Sequence, residues 1–211
     1  MFSLESIMSD LSNERPIFHS EADFQHALAW KIHEKYPKYD IRLEKDYPKL
    51  DKRKYLDILV SNNNSKIAIE LKYKKKRIEH SHNNESFNLT TQHAQDIARY
   101  DFCKDIGRLE GFVSKDKSFF GYAIFLTNDP LYWKDSKNIG SVDSAFRICD
   151  RNKLRGSLEW KGASEGTMKG RREKINLNGQ YDLGWEKYSE IKDDENGIKE
   201  NGLFQYLAVK I

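Results

Sequence analysis

Two runs decide the reading of this chain: Tyr55-Leu56-Asp57-Ile58-Leu59-Val60 and Lys66-Ile67-Ala68-Ile69-Glu70-Leu71-Lys72-Tyr73. Both are rich in large and β-branched apolar residues, the composition of strands packed on a buried sheet face. Between them lies Ser61-Asn62-Asn63-Asn64-Ser65, a turn cluster of hairpin length. Residues i and i+2 of a strand share a face, so Glu70 and Lys72 project together while Ile69, Leu71 and Tyr73 go to the other side. A carboxylate and an ammonium at the end of an apolar strand are costly unless something partners them. Asp57 is a lone acid set among Leu56, Ile58, Leu59 and Val60. Hairpin pairing brings it near Glu70 and leaves two carboxylates and one amine together. Like charges that close call for a cation between them, and hard oxygen donors select Mg²⁺ or Mn²⁺.

Upstream, Ser20 is a good N-cap, Glu21 and Asp23 suit a first turn, and Phe24, Leu28 and Ile32 recur at i+4. The spacing predicts a helix over 20–36, ended by Pro37, followed by a weak strand over 40–45. Downstream, residues 79–88, rich in His, Asn and Ser, read as a loop. A second helix is expected at about 90–110, with Ala94, Ala98, Phe102, Ile106 and Leu109 as its apolar stripe. Residues 118–126 read as a buried strand reached by a helical crossover, hence parallel to a neighbour in the same sheet. The expected fold class is α/β, an αβββαβ core with a central mixed sheet. Beyond it come a short helix near 141–147, strands near 154–160 and 203–211, a basic Gly-containing loop at 161–172 and an exposed loop at 193–202. The expected organisation is one domain over 1–211, with a core at about 18–130 and a C-terminal extension of short strands over 131–211.

The chain has 211 residues, 38% hydrophobic and 12% aromatic, enough for a sizeable core and too apolar for a disordered composition. No apolar run nears the ~18–20 residues that span a bilayer, so no membrane partner is expected. Met1-Phe2-Ser3-Leu4-Glu5-Ser6 lacks the basic and apolar regions of a secretory signal. Cys103 and Cys149 form no disulfide framework or metal-knuckle spacing, and a reduced, cytoplasmic setting is the expectation. Net charge is only +3, but residues 49–77 hold ten Lys/Arg against three acids. Such a patch suits a polyanion, and equally a solvated face.

Asp57, thirteen residues before Glu70-Leu71-Lys72, on paired apolar strands after a helix bearing Glu21, resembles the PD-(D/E)XK nuclease superfamily. The segments Phe18-His19-Ser20-Glu21-Ala22-Asp23-Phe24, Ala68-Ile69-Glu70-Leu71-Lys72-Tyr73-Lys74, Gln95-Asp96-Ile97-Ala98-Arg99-Tyr100-Asp101, Gly170-Arg171-Arg172-Glu173 and Tyr181-Asp182-Leu183-Gly184-Trp185 are similar to uncharacterised bacterial members. Leu56 stands where the motif's name has proline. The resemblance implies a restriction-endonuclease-like core and metal-dependent hydrolysis of phosphodiester bonds, with DNA as the foremost partner and RNA open. Asp57, Glu70 and the backbone carbonyl of Leu71 would ligate Mg²⁺ or Mn²⁺, and Glu21 would sit over the site as a further ligand or through a water. Lys72 would orient and help activate the attacking water and offset transition-state charge. The metal lowers the water's pKa and neutralises a phosphate oxygen, the physical need for this residue set.

On the second helix, Gln92, Gln95, Asp96, Arg99 and Tyr100 lie on the more polar side, away from the stripe. RecB-like relatives carry a Gln and a Tyr near the metal, four apart, whereas Gln95 and Tyr100 are five apart. Lys74, Lys75, Lys76 and Arg77 leave the catalytic strand directly and would grip flanking phosphates without reading sequence. Lys169, Arg171 and Arg172 would form a second clamp, with Gln92 a further nucleic-acid contact. Trp160, Trp185 and Tyr181 serve equally as core or as base-stacking platforms. His80 and His82, and His26 and His33, lack the companions of a zinc site. Two other readings stand beside the nuclease: a catalytically weak or inactive DNA-binding module of a larger complex, and an interaction protein with surface ion pairs only. A homodimer is left open.

Overall fold

Alternation in the two apolar runs becomes a hairpin of β2 (Tyr55–Ser61) and β3 (Lys66–Lys74), turned through Asn62–Ser65, where Asn62 Oδ1 accepts the N–H groups of Asn64 and Ser65. The computed structural model describes residues 2–46, 55–135, 140–193, 195 and 197–211. The basic residues Lys49, Lys52, Arg53 and Lys54 of the charged segment lie outside them.

Two helices precede the hairpin: α1 (Leu4–Glu14), which the sequence reading did not anticipate, and α2 (Glu21–Lys35), capped by Ser20 as expected. Strand β1 (Asp40–Asp46) pairs antiparallel with β2 and completes a three-strand meander. Residues 78–89 are not a loop. They form a hairpin of β4 (Ile78–His82) and β5 (Glu85–Leu89), turned by Asn83 and Asn84, both at positive φ, a backbone that Asn tolerates. Helix α3 (Gln95–Val113) begins later than expected. Ala94 is its N-cap at φ 65° rather than part of its stripe, while Ala98, Phe102, Ile106 and Leu109 are buried as read.

Strand β6 (Phe119–Thr127) pairs parallel with β3 from Lys66↔Phe119 to Lys74↔Thr127, as the crossover requires. After a 3₁₀ turn at Ser144–Phe146 come β7 (Lys153–Leu158), the one-turn α4 (Glu165–Met168), β8 (Ile175–Asp182), β9 (Trp185–Lys192) and β10 (Ile198–Lys210). The sequence reading missed β8 and β9, and took the start of β10 for an exposed loop. β10 has 13 residues and pairs with β6, so this part of the chain extends the central sheet instead of appending short strands. Gly202 is required there: a Cβ would stand 2.5 Å from the Ile191 carbonyl oxygen.

The result is a mixed α/β architecture with a six-stranded sheet, ordered β1-β2-β3-β6-β10-β9, parallel only at β3–β6. One face packs on α1 and α2 through Ile67, Ile69, Leu71 and Tyr73 of β3. The other packs on α3 and the β7–β8 hairpin through Ala68, Ala123 and Phe125. Burial on both faces explains why β3 and β6 read as continuous apolar runs. Among the described residues no helix is long and apolar enough to cross a membrane.

Candidate active site

The β2–β3 ladder runs from Ser61↔Lys66 to Ile58↔Ile69 and then opens. Leu71 and Tyr73 therefore present N–H groups to no strand, and two acids take them. Asp57 Oδ2 accepts the N–H of Leu71 at 2.7 Å, and Glu21 Oε2, from the first turn of α2, accepts that of Tyr73 at 2.8 Å. The opening is matched on β1, where Glu44 (φ 48°) interrupts the pairing with β2 opposite Asp57. Gln25 Nε2 donates to both Glu44 Oε1 and the Asp57 carbonyl at 2.8 Å, fixing this point from α2.

Glu70 and Lys72 share the face of β3 that looks toward α3, as the period of the strand demands. Lys72 Nζ lies 2.7 Å from Asp105 Oδ2 and 3.2 Å from the Leu71 carbonyl. Arg108 pairs with Glu70, and its guanidinium is 3.1 Å from Asp105 Oδ1. Glu70 is 1% exposed, and its Oε1 has no hydrogen-bond partner. Asp105 and Arg108 were missed by the sequence reading. Their signal is faint: an acid and a base three apart, one position off the Phe102/Ile106/Leu109 stripe.

Crowding of carboxylates sets the electrostatics. Burial pushes the Asp57 carboxyl up to about 6, helped by Asp105 and Glu21 and opposed by the Leu71 N–H and Lys72. Burial and Asp105 push Glu70 well above the usual carboxylate range, against the pull of Arg108. Burial alone would lower Lys72, but Asp105, with Glu21 and Asp57, outweighs it and holds the ammonium well above its ordinary value. Four carboxyl groups (Glu21, Asp57, Glu70, Asp105) thus share two cations (Lys72, Arg108), a deficit of positive charge that raises the proton affinity of Asp57 and Glu70.

That deficit, the unpartnered Glu70 oxygen and a donor set of hard oxygens suit a divalent cation. Asp57, Glu70 and the Leu71 carbonyl are the groups that would hold it. Among the described residues no three His, Cys, Asp or Glu side chains already surround one point.

The other candidates bond to partners outside the set Glu21, Asp57, Glu70 and Asp105. Gln95 Nε2 donates to Asp129 Oδ2 at 2.9 Å, at the end of β6. Gln92 fastens the segment before α3 to the end of β3, its Oε1 accepting the Lys75 N–H and its N–H donating to the Lys75 carbonyl. Lys75 Nζ donates to the His19 carbonyl, and the Lys76 N–H to Asn128 Oδ1. Lys74 ends β3 half-buried, and Arg77 is exposed and paired with Glu79. Arg171 grips Asp101 of α3 with two bonds of 2.8 Å, and Arg172 pairs with Glu165, so both arginines already hold protein carboxylates.

Arg99 and Tyr100 do not lie on a polar side. They are 4% and 0% exposed, because the C-terminal half covers α3 where the sequence reading expected water. Arg99 pairs with Asp143, and Tyr100 donates to the Glu173 carbonyl. Trp160 stacks on Tyr100, Trp185 packs on Phe125, and Tyr181 donates to Glu110; all three serve the core. Cys103 is fully buried and unbonded to Cys149.

A scan of the chain against protein-family models finds no match, and no curated protein matches it.

Proposed function

We propose that the chain is a metal-dependent nuclease of the PD-(D/E)XK type, with a restriction-endonuclease-like core, hydrolysing phosphodiester bonds in DNA. The observation that carries this reading is the meeting of Asp57, Glu70 and Lys72 at the opening between β2 and β3. An apolar sheet gains nothing from one buried and two half-buried charges there, and an in-line hydrolysis needs them.

When bound, Mg²⁺ or Mn²⁺ supplies a Lewis acid for the phosphate and a lowered pKa for water. Asp57 and Glu70 hold the cation as carboxylates. Lys72, kept protonated by Asp105, cannot take the water's proton; it orients the nucleophile and offsets charge gathering on the phosphate. Glu21, tied to the Tyr73 N–H, adds negative charge at the rim.

One observation favours a second reading, an inactive DNA-binding module: Arg108 on Glu70 and Lys72 on Asp105 satisfy one another without a metal. Cleavage of supercoiled and linear DNA, with RNA in parallel, in Mg²⁺ or Mn²⁺ against EDTA separates the two. Cutting that needs the metal and disappears in Asp57→Ala and Lys72→Ala supports the nuclease. DNA binding without cutting, unchanged in both variants, supports the module.

A further inference from the structure

Arg108 does two things at once. Its guanidinium is the counter-charge of Glu70, and the residue also lines an open groove of about 260 Å³ between α3 and residues 173–176. The groove is bordered by Tyr100, Lys104, Arg108, Gly111, Glu173 and Lys174, three cations to one acid, although Arg108 is also paired with Glu70 and Asp105 and Lys174 with Glu159. It is smaller than the ~300–1,000 Å³ of small-molecule pockets. Its open, shallow form and its Lys104, Arg108 and Lys174 suit an extended anionic chain better than an enclosed small molecule.

We propose that this groove is a track for the phosphate backbone of a DNA strand running out of the active site, with Arg108 as its inner cation. The inference rests on the nuclease reading above.

Lys104 and Arg108 are one helical turn apart, about 6 Å along the axis. That spacing is roughly two steps of a B-form strand at ~3.4 Å each. Both outer lysines have only weak partners. Lys104 sits 5.9 Å from the Tyr100 ring, and Lys174 pairs at 3.1 Å with Glu159 in an ion pair about half exposed on both sides. Exposed pairs of that kind are worth little and yield readily to a phosphate. The wall is rigid, because Tyr100 is stacked on Trp160 and tied to the Glu173 carbonyl. At Gly111 the floor is open: an added Cβ meets nothing within 4 Å.

The test uses the full chain and a fluorescein-labelled DNA oligonucleotide in EDTA, read by anisotropy, so that binding is measured without cutting. Gly111→Ala improves a helix interior and should bind as the parent does, which controls for folding. Gly111→Glu places a carboxylate in the groove and should weaken binding at least tenfold. The double variant Lys104→Ala/Lys174→Ala should lower the slope of log K against log salt by about 1.4–1.8, two phosphate contacts' worth. If the parent binds and cuts DNA but Gly111→Glu and the double variant bind it unchanged, the groove is overturned and the nuclease reading stands. If the parent neither binds nor cuts any nucleic acid, both are overturned. Binding confined to RNA of the same sequence overturns the DNA assignment.

Discussion

Lys72 Nζ and Asp105 Oδ2 stand 2.7 Å apart, an ion pair between β3 and α3 with the two side chains 19% and 10% exposed. Asp105 is the residue that keeps Lys72 charged, and it also lifts the pKa values of Asp57 and Glu70. In Asp105→Asn all three values should fall. The acid limb of kcat/KM against pH, set by the two carboxyls, should therefore move to lower pH. A profile that loses height but keeps its acid limb in place would remove Asp105 from this role.

Asp57 carries a stability signature of opposite sign to the usual acid. Its folded carboxyl titrates near 6, above its value in the unfolded chain, so the folded state binds the extra proton. Stability from this group is present at pH 4 and is lost as pH rises through about 6. Asp57→Asn keeps an oxygen for the Leu71 N–H and removes the loss. Without metal, urea unfolding should show the variant ahead by on the order of 1–2 kcal/mol at pH 8, allowing for partial exposure, and level at pH 4. Cleavage should vanish in the same variant.

A cation bound by the folded site alone adds stability by mass action, about 2.7 kcal/mol at one hundred times its dissociation constant. Adding Mn²⁺ to the metal-free protein should raise the melting temperature by several degrees, and EDTA should reverse it. Glu70→Gln should abolish the rise. An equal rise in parent and variant would place the metal elsewhere.

Ala94 caps α3 at φ 65°, a left-handed backbone that costs a residue bearing a Cβ about 1 kcal/mol or more. Ala94→Gly should stabilise the protein by roughly 0.5–1 kcal/mol, measured as a higher urea midpoint. The same change in the body of a helix would do the reverse.

Legibility in the sequence followed where water lies. The β2–β3 hairpin, the Ser20-capped helix and the parallel β6 were readable because their apolar patterns are strong and local. So were Asp57, Glu70 and Lys72, because a charge in an apolar strand stands out. Asp105 and Arg108 did not, since charges on a helix ordinarily face solvent; only the docking of α3 on β3 turns them inward. Arg99 and Tyr100 were misplaced for the same reason, as the cover over α3 comes from residues far along the chain. The β4–β5 hairpin hid behind polar residues, although its Asn83-Asn84 turn is a usable signal. Helix α1 is legible in Leu4, Ile7, Met8 and Leu11, buried at helical spacing, behind a Ser3 cap.

The crossover from β3 to β6 has a consequence for the order of assembly. Asp57 and Glu70 are drawn together by a local hairpin, while Arg108 and Asp105 reach them only through the docking of α3 across the parallel pair, a contact of longer sequence separation. During folding the two acids meet before their counter-charges are present. Two acids that close repel each other until a proton or a cation comes between them, so low pH should favour the hairpin over its open form.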